Sequence, residues 1–172
     1  MPRFAPCAAA ALYRRAAFNA VGGFDAAFFC YVEDIDLAFR LRLRGHRCIQ
    51  VRDAVVRHVG GASSGGANGM ARYYGTRNMV WCFVKNMPGP LFWPLFPLHL
   101  AAVFLFALWH MLRGERHAWR GLADALRQLP WKARRREQAA RSVSVRSVAA
   151  AMVWNPVRYL TRAPLRLRGR QL

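Results

Sequence analysis

The chain has 172 residues, enough for one domain with a hydrophobic core or for a domain with an appended segment. Lys and Arg number 27 against 8 Asp and Glu, and the formal net charge of +19 favours anionic partners such as nucleic acid, phosphates or anionic lipid. A hydrophobic content of 55% excludes a disordered nucleic-acid-binding tail, and its combination with high charge favours a membrane surface.

The first 86 residues mix polar and apolar stretches with glycines, as a globular α/β segment does. The stretch AAAALY predicts a short buried strand, and a helix follows from Arg15 to about Val21. Gly22 and Gly23 end this helix, because glycine tolerates the positive φ of a helix C-terminus.

The stretch DIDLAFRLRLRG is ambiguous, since apolar residues alternate with arginines over 39–44 as they do in a strand. Against a strand, Asp34 is suited to an N-cap, Asp36 lies four residues before Arg40, and Gly45 suits a C-terminal stop. We therefore predict a helix whose apolar face carries Ile35, Phe39 and Leu43.

Farther along, CIQV and AVVRHV predict short strands joined by a turn at Arg52 and Asp53. The stretch GGASSGGANG, residues 60–69, predicts a flexible loop. An amphipathic helix is predicted from Arg72 to Asn86. We interpret Arg77 and Asn78, in the stretch TRNM, as part of its solvated face.

Residues 87–112, MPGPLFWPLFPLHLAAVFLFALWHML, contain no Asp, Glu, Lys or Arg and are as long as a bilayer span requires. Because Pro90, Pro94 and Pro97 crowd the first half, a straight helix is predicted only from near Pro97. The remaining stretch of about 15 residues favours a re-entrant or interfacial segment over a full span or a buried core helix. Residues 113–172 form an arginine-rich, nearly acid-free tail that we predict to be helical, so the boundaries are 1–86, 87–112 and 113–172.

The cysteines and the N-terminus indicate a cytosolic compartment. No Cys-x-x-Cys pair occurs, so we expect reduced thiols at Cys7, Cys30, Cys48 and Cys82. The opening stretch MPRFAPCAAAALYRR lacks an uninterrupted apolar core long enough for a secretory signal.

Half of the acidic residues lie within twelve positions, at Asp25, Glu33, Asp34 and Asp36. Glu33 and Asp34 fall at the mouth of the predicted helix, where backbone N–H groups stabilise negative charge. An ionised carboxylate beside a cleft can take a proton from an acceptor hydroxyl. The alternative is simple N-capping with an ion pair to Arg40 or Arg42.

The block VGGFDAAFFCYVEDIDLAFRLRLRGHRCIQVRDAVVRHVGGAS resembles the C-terminal half of the catalytic domain of family-2 glycosyltransferases. Within that family, the block looks like the rhamnosyltransferase-like enzymes that build bacterial surface polysaccharides. The likeness extends through RYYGTRNMVWCFVKNMP and GLADALRQLPWKARRREQ, and it covers roughly residues 4 to 140. It implies an α/β fold, a partial GT-A domain followed by membrane-associated helices, that transfers a sugar with inversion.

The resemblance also implies roles for single residues. Asp34 corresponds to the catalytic base and Glu33 to its acidic neighbour, while His58 matches a ligand of the divalent metal. Gly22 and Gly23 match the loop under the acceptor. Asp36 either joins this acceptor-binding side or, with Arg40, holds the helix in place.

The implied cofactor is Mg²⁺ or Mn²⁺, and the implied partners are a nucleotide-sugar donor, a glycan or lipid-linked acceptor and an anionic membrane surface. The expected location is the cytoplasmic face of the bacterial inner membrane, with no nucleic-acid partner. The family's Asp-x-Asp motif does not occur before the acidic cluster, so a fragment of an enzyme is expected. The first alternative is a catalytically incompetent, membrane-associated remnant without a donor site, and the second, less favoured by the sequence, is a basic anion- or nucleic-acid-binding protein.

Overall fold

The computed structural model describes residues 2–51, 53–56 and 68–154. In this part of the chain the helices are α1 (Arg15–Ala20), α2 (Glu33–Leu43), α3 (Asn68–Asn86), α4 (Gly89–Leu112), α5 (His117–Arg127), α6 (Trp131–Ala139) and α7 (Val145–Ala151). Two short antiparallel strands, β1 (Pro2–Arg3) and β2 (Cys48–Ile49), pair Pro2 with Ile49 and Arg3 with Cys48. The described fold is therefore mostly helical, and the α/β GT-A fold implied by the sequence is not shown.

The predicted strands are shorter than expected or missing. The prediction of a strand at AAAALY is wrong, since Ala8–Ala10 form a 3₁₀ turn and the Leu12 side chain is fully exposed. A strand needs a neighbour for its backbone hydrogen bonds, and no described segment pairs with residues 11–14. Of CIQV only β2 is a strand, and residues 54–56 are irregular. The rest of AVVRHV and residues 60–67 of the glycine-rich stretch lie outside the described residues.

The first helix agrees with its prediction. At its end Gly22 adopts φ +81°, its N–H donates to the Asn19 carbonyl, and the Gly23 N–H donates to the Phe18 carbonyl. This pair of bonds is the Schellman arrangement, which places a left-handed residue just after a helix. The predicted break at the two glycines is thus confirmed.

The helix predicted at DIDLAFRLRLRG is also confirmed as α2, but its N-cap is not Asp34. Val32 occupies that position in a left-handed conformation, so the helix begins two residues earlier than an Asp34 cap allows. Phe39 and Leu43 are buried as predicted, whereas Ile35 is 39% exposed. The buried face is centred on Asp36, Arg40 and Leu43, and Ile35 lies at its margin.

The central element is α3, which packs against α2, α4, α5 and α6. Its closest neighbour is α5, where a Cβ on Gly121 would lie 2.3 Å from the Tyr73 carbonyl oxygen. Only glycine permits this approach. The core around α3 contains buried apolar residues from most helices, among them Phe39, Leu43, Val80, Val84, Phe92, Ala118, Leu122 and Val148.

The apolar segment forms a longer helix than predicted. It begins at Gly89, so the prediction of a start near Pro97 is wrong. Pro90 lies in the first turn, where the absent N–H has no helical partner, and Pro94 and Pro97 each remove one ladder bond without ending the helix. The 24 residues of α4 span about 36 Å, which is enough by length and composition to cross a bilayer of about 30 Å.

Candidate functional site

A loop of unusual backbone geometry leads into α2. Asp25 caps the 3₁₀ turn Ala26–Phe28 by accepting the Ala27 N–H, and the next residues turn left-handed. The φ angles of Phe29, Tyr31 and Val32 are +60°, +65° and +70°. The Cys30 N–H donates to the Phe28 carbonyl at 2.7 Å, which makes a γ-turn of the rare positive-φ type at Phe29.

These three residues are unfavourable in such a conformation, because their Cβ atoms approach the backbone. Val32 is the most unusual of them, since a β-branched residue rarely adopts positive φ. We define residues 28–32 as the left-handed loop. It ends directly at Glu33 and Asp34, so its conformation sets where the first turn of α2 starts.

One side chain of α3 binds this loop through its carbonyl groups. Asn78 donates from Nδ2 to the carbonyls of Phe28, Cys30 and Tyr31 at 2.8, 2.9 and 2.8 Å. Asn78 has no exposed surface. Its interpretation as part of a solvated helix face is therefore wrong, because a buried amide needs hydrogen-bond partners and the loop supplies them.

Arg77 supports the same loop from the rim. Its Nη2 donates to the Ala27 carbonyl at 2.9 Å and its Nε donates to Asn78 Oδ1 at 2.9 Å. The guanidinium also lies 4.4 Å from the centre of the Trp81 ring and 4.8 Å from that of Tyr74. The solvated-face interpretation is wrong for Arg77 as well, since a planar cation stacks on aromatic rings while its edge donates hydrogen bonds.

A buried group of charges joins α2 to α3; we call it the buried quartet, and its members are Asp25, Asp36, Arg40 and Lys85. Asp36 Oδ2 accepts from Arg40 Nε at 2.8 Å and from Lys85 Nζ at 2.9 Å. Lys85 Nζ also lies 2.7 Å from Asp25 Oδ2. Two carboxylates and two cations balance, and Asn86 donates to the remaining Asp36 oxygen at 2.8 Å. The predicted spacing of Asp36 and Arg40 is thus confirmed as an ion pair.

The buried quartet changes the pKa of Asp25, which is its most exposed member. Burial by itself raises the pKa of Asp25, but the Lys85 hydrogen bond, the Ala27 N–H and the nearby positive charges outweigh it. The net effect lowers the pKa of Asp25 below its usual 3.8. Asp25 is therefore held in its ionised form.

Glu33 and Asp34 stand apart from this charge balance. Neither forms an ion pair with any described residue, in a chain with 27 Lys and Arg. Asp34 is half-buried, and its two oxygens accept the N–H groups of Ala8 at 3.1 Å and Ile35 at 2.8 Å. Glu33 Oε2 is buried without a hydrogen-bond partner in the described structure.

The alternative that Glu33 or Asp34 pairs with an arginine one or two turns later is wrong. Arg40 is committed to Asp36 and to the Val21 carbonyl, which it reaches at 2.7 Å. Arg42 donates to the Arg3 carbonyl at 2.7 Å. Among the described residues, neither guanidinium group forms an ion pair with Glu33 or Asp34.

Tyr13 is a residue of this site that sequence reasoning missed. Burial, followed by the negative charge of Asp34, raises the pKa of the Tyr13 hydroxyl. The hydroxyl oxygen is buried and has no hydrogen-bond partner among the described residues. In the sequence, the one notable feature of this tyrosine is that it follows AAAAL. That pattern predicts a strand and does not indicate a functional site.

Beside Tyr13 runs a groove of about 710 Å³ between residues 3–13, one face of α2 and residues 46–56. Ala38, on the groove wall, lies one helical turn after Asp34. Its described lining contains basic side chains and no Asp or Glu; the basic residues are Arg3, Arg42, His46 and Arg47. A polar anionic or hydroxyl-bearing ligand is the chemistry that suits such walls.

The structure brings some predicted site residues together and leaves others untested. Glu33, Asp34 and Asp36 share the start of α2, and Asp36 has no exposed surface because the quartet occupies it. Gly22 and Gly23 lie at the end of α1, tied to α2 through Arg40. His58 lies outside the described residues, and the roles of all these residues in binding or catalysis stay predictions.

The described residues do not form a metal site. Within residues 2–51, 53–56 and 68–154 there is no group of three or more His, Cys, Asp or Glu side chains that could hold a metal ion. Glu33 and Asp34 alone supply too few ligands for Mg²⁺ or Mn²⁺. A metal at this site needs ligands from elsewhere.

Comparison with known proteins finds a likeness over about a third of the chain. Two curated N-acetylglucosaminyl-diphospho-decaprenol L-rhamnosyltransferases, from Mycobacterium tuberculosis strains CDC 1551 / Oshkosh and ATCC 25618 / H37Rv, are each 46% identical over 54 residues. The match covers 31% of this chain and 18% of each relative, so it spans less than a fifth of their length. No protein-family model and no solved structure matches. Part of the chain is thus similar to a rhamnosyltransferase, which supports a glycosyltransferase-like protein.

Proposed function

We propose that this chain forms the acceptor side of an inverting glycosyltransferase of the family-2, GT-A type. In this proposal it acts in bacterial surface polysaccharide synthesis, on a glycan or lipid-linked acceptor. The observation that carries it is the carboxylate pair Glu33–Asp34 at the start of α2, which forms no ion pair with any residue that the structure describes, in a strongly basic protein. The partial likeness to two rhamnosyltransferases supports the same reading.

Asp34 is the base in the proposed reaction. Its carboxylate takes the proton of an acceptor hydroxyl while the hydroxyl oxygen attacks the anomeric carbon of the donor sugar. The bond between that carbon and the diphosphate oxygen breaks, and the nucleotide diphosphate leaves with the electron pair. The N–H groups of Ala8 and Ile35 donate to the two carboxylate oxygens and orient the carboxylate.

Donor and metal are held, in this proposal, by residues beyond the described carboxylate pair. The resemblance implies a nucleotide-sugar and Mg²⁺ or Mn²⁺, with His58 as one ligand. Gly22 and Gly23 lie under the acceptor, and the basic groove beside Tyr13 receives its polar part. Asp36 acts indirectly, since its buried ion pairs hold α2 in place.

We place the protein at the cytoplasmic face of the bacterial inner membrane, held there by α4. Only 17% of the most apolar part of α4 is buried inside the protein, and its exposed surface includes Trp93, Leu98, Leu105, Trp109 and Leu112. The Arg113 guanidinium lies 3.9 Å from the centre of the Trp109 ring, a pair suited to a membrane–water interface. Such an anchor keeps a lipid-linked acceptor near the carboxylates.

A matched pair of variants tests this function. Asp34→Asn removes the base but keeps size and one acceptor oxygen, so it should lower sugar transfer by about 10²- to 10⁴-fold. Its unfolding free energy should fall by no more than about 1 kcal/mol. Asp36→Asn, two residues on, should instead cost about 3–5 kcal/mol of stability, because it leaves Lys85 and Arg40 buried without their shared carboxylate.

The assay uses membranes containing the chain, N-acetylglucosaminyl-diphospho-polyprenol as acceptor and nucleotide-activated L-rhamnose as donor. Transfer is measured as label in the organic phase, and stability as thermal unfolding of the purified chain. Near-normal transfer by Asp34→Asn would contradict the assignment of the base. Absence of transfer by the unaltered chain, and of thermal stabilisation by donor with Mn²⁺, would favour the membrane-associated remnant.

A further inference from the structure

We propose that Asn78 and Arg77 are positioning residues, which hold the left-handed loop and so fix Glu33 and Asp34 at the mouth of α2. The proposal rests on the proposed function for its chemical meaning. Its structural content is independent of that function: the loop conformation is imposed by two side chains of α3 and not by the loop's own sequence.

The loop sequence does not favour the conformation it adopts. Residues 28–32 read FFCYV, with none of the Gly, Asn or Asp residues that commonly adopt positive φ. Three of the five nevertheless do so. Strained residues of this kind persist only where surrounding contacts determine them, and they concentrate at functional sites.

Asn78 supplies those contacts. A γ-turn followed by two left-handed residues brings the carbonyls of Phe28, Cys30 and Tyr31 together, and all three accept from the same amide group. A loop in an extended conformation could not present three carbonyls to one nitrogen. Arg77 adds a bond to the Ala27 carbonyl just before the loop, and orients Asn78 by donating to its Oδ1.

The hydrogen bonds from Asn78 and Arg77 affect the position of the carboxylates through a short path. The Val32 carbonyl accepts the Asp36 N–H at 2.9 Å, which is the first hydrogen bond of α2. Glu33 and Asp34 lie inside this first turn. Because Asp34 Oδ2 accepts the Ala8 N–H, the amide of Ala8 reports where the carboxylate is.

A double-mutant cycle between Val32→Gly and Asn78→Ser tests the proposal on the full chain. Glycine adopts positive φ without the Cβ penalty, so Val32→Gly should make the loop conformation less dependent on the hydrogen bonds from Asn78 and Arg77. Two NMR readouts are measured: amide exchange over residues 29–34, and the pH-dependent shift of the Ala8 amide proton as Asp34 titrates. A merely structural role for Asn78 does not move the second readout.

Asn78→Ser alone should accelerate exchange in the loop about tenfold, as expected for the loss of a net hydrogen bond, and should abolish the pH-dependent shift of Ala8. In the Val32→Gly background the same change should have a clearly smaller effect, and the Ala8 shift should return. Arg77→Met, which keeps the aliphatic stem, provides a second variant should Asn78→Ser fail to fold. Met79, the neighbouring exposed residue of α3, provides the control. Met79→Ala should change neither readout.

Additive effects of Val32→Gly and Asn78→Ser, or an unchanged Ala8 shift in both Asn78→Ser and Arg77→Met, would overturn the proposal. Non-additive effects with recovery of the Ala8 shift support it. Neither readout requires sugar transfer. Failure of the transfer assay therefore counts against the proposed function alone, and the cycle still decides whether α3 positions the carboxylates.

Discussion

At the scale of single residues, α2 contains two kinds of carboxylate separated by one position. Asp36 is fully buried and shared between two cations, whereas Asp34 is half-buried and its hydrogen bonds within the described part of the chain come from N–H groups. Removing a partner from a buried ion pair is costly because the other charge stays in a low-dielectric interior. The difference separates a carboxylate that joins α2 to α3 through ion pairs from the one that we propose as the base.

The Asp25–Lys85 pair predicts an acid-sensitive contribution to stability. Because the folded-state pKa of Asp25 lies below its usual 3.8, folding favours the ionised form. This contribution is complete above the unfolded-state pKa and is lost as pH falls through the lower folded-state pKa. In Asp25→Asn we expect lower stability at pH 6 to 7 and a shallower loss of stability below about pH 4. Chemical unfolding at a series of pH values measures both, and parallel curves for the two proteins would contradict the prediction.

The carboxylate pair could be located from the sequence, but the backbone conformation and the contacts around it could not. Asp34 was a reasonable N-cap by residue type, yet Val32 takes that position because the preceding loop turns left-handed. FFCYV carries no local signal for positive φ, and the contacts that impose it come from Asn78, about fifty positions away. The pattern of the sequence places Arg77 and Asn78 on a solvated face, because helical periodicity shows the spacing of residues and not which segment packs against them.

At the scale of elements, the helices were more predictable than the strands. α1, α2 and α3 follow from apolar spacing and glycine stops, which act within a few residues of the chain. Strands depend on partners distant in sequence, and AAAALY lacks one in the described structure. Proline content misled the prediction for α4, since its prolines lie within the first nine residues of the helix and each removes only a single donor.

Substitution by alanine is predicted to have opposite effects on stability at two helical glycines. Gly75 of α3 has open space around its Cβ position, so Gly75→Ala should raise stability by about 0.5–1 kcal/mol through helix propensity. Gly121→Ala should lower it by about 1–3 kcal/mol, because the methyl group collides with the Tyr73 carbonyl and separates α5 from α3. Thermal unfolding of both variants in detergent measures the difference, and similar melting temperatures would contradict the close packing of these helices.

At the scale of the whole molecule, the protein combines an exposed apolar helix with a strongly basic composition. α4 exposes most of its apolar surface, and the chain carries a net charge of +19. Electrostatic attraction brings such a protein to an anionic surface, and burial of the apolar helix then makes the association resistant to salt.

We therefore expect the chain to bind vesicles of phosphatidylcholine and phosphatidylglycerol and to remain bound in high salt. Leu98→Asp combined with Leu105→Asp should reduce binding at high salt by at least about tenfold, since a carboxylate in the apolar layer costs about 2.5–3.5 kcal/mol at the centre of a span. Ile49→Asp, the same kind of change at an exposed site on β2, serves as control. Co-sedimentation measures binding, and complete release of the unaltered chain by salt would contradict an apolar anchor.

The left-handed loop has a consequence for the order of folding. The bonds from Asn78 close stretches of 47 to 50 residues, so loop-closure entropy must be overcome before they contribute. Helices with local contacts can form earlier, but FFCYV reaches its native geometry only after α3 has docked. We therefore expect the carboxylate pair to become ordered late, and a nascent chain that has not yet emerged beyond residue 78 to lack the hydrogen bonds that hold the left-handed loop.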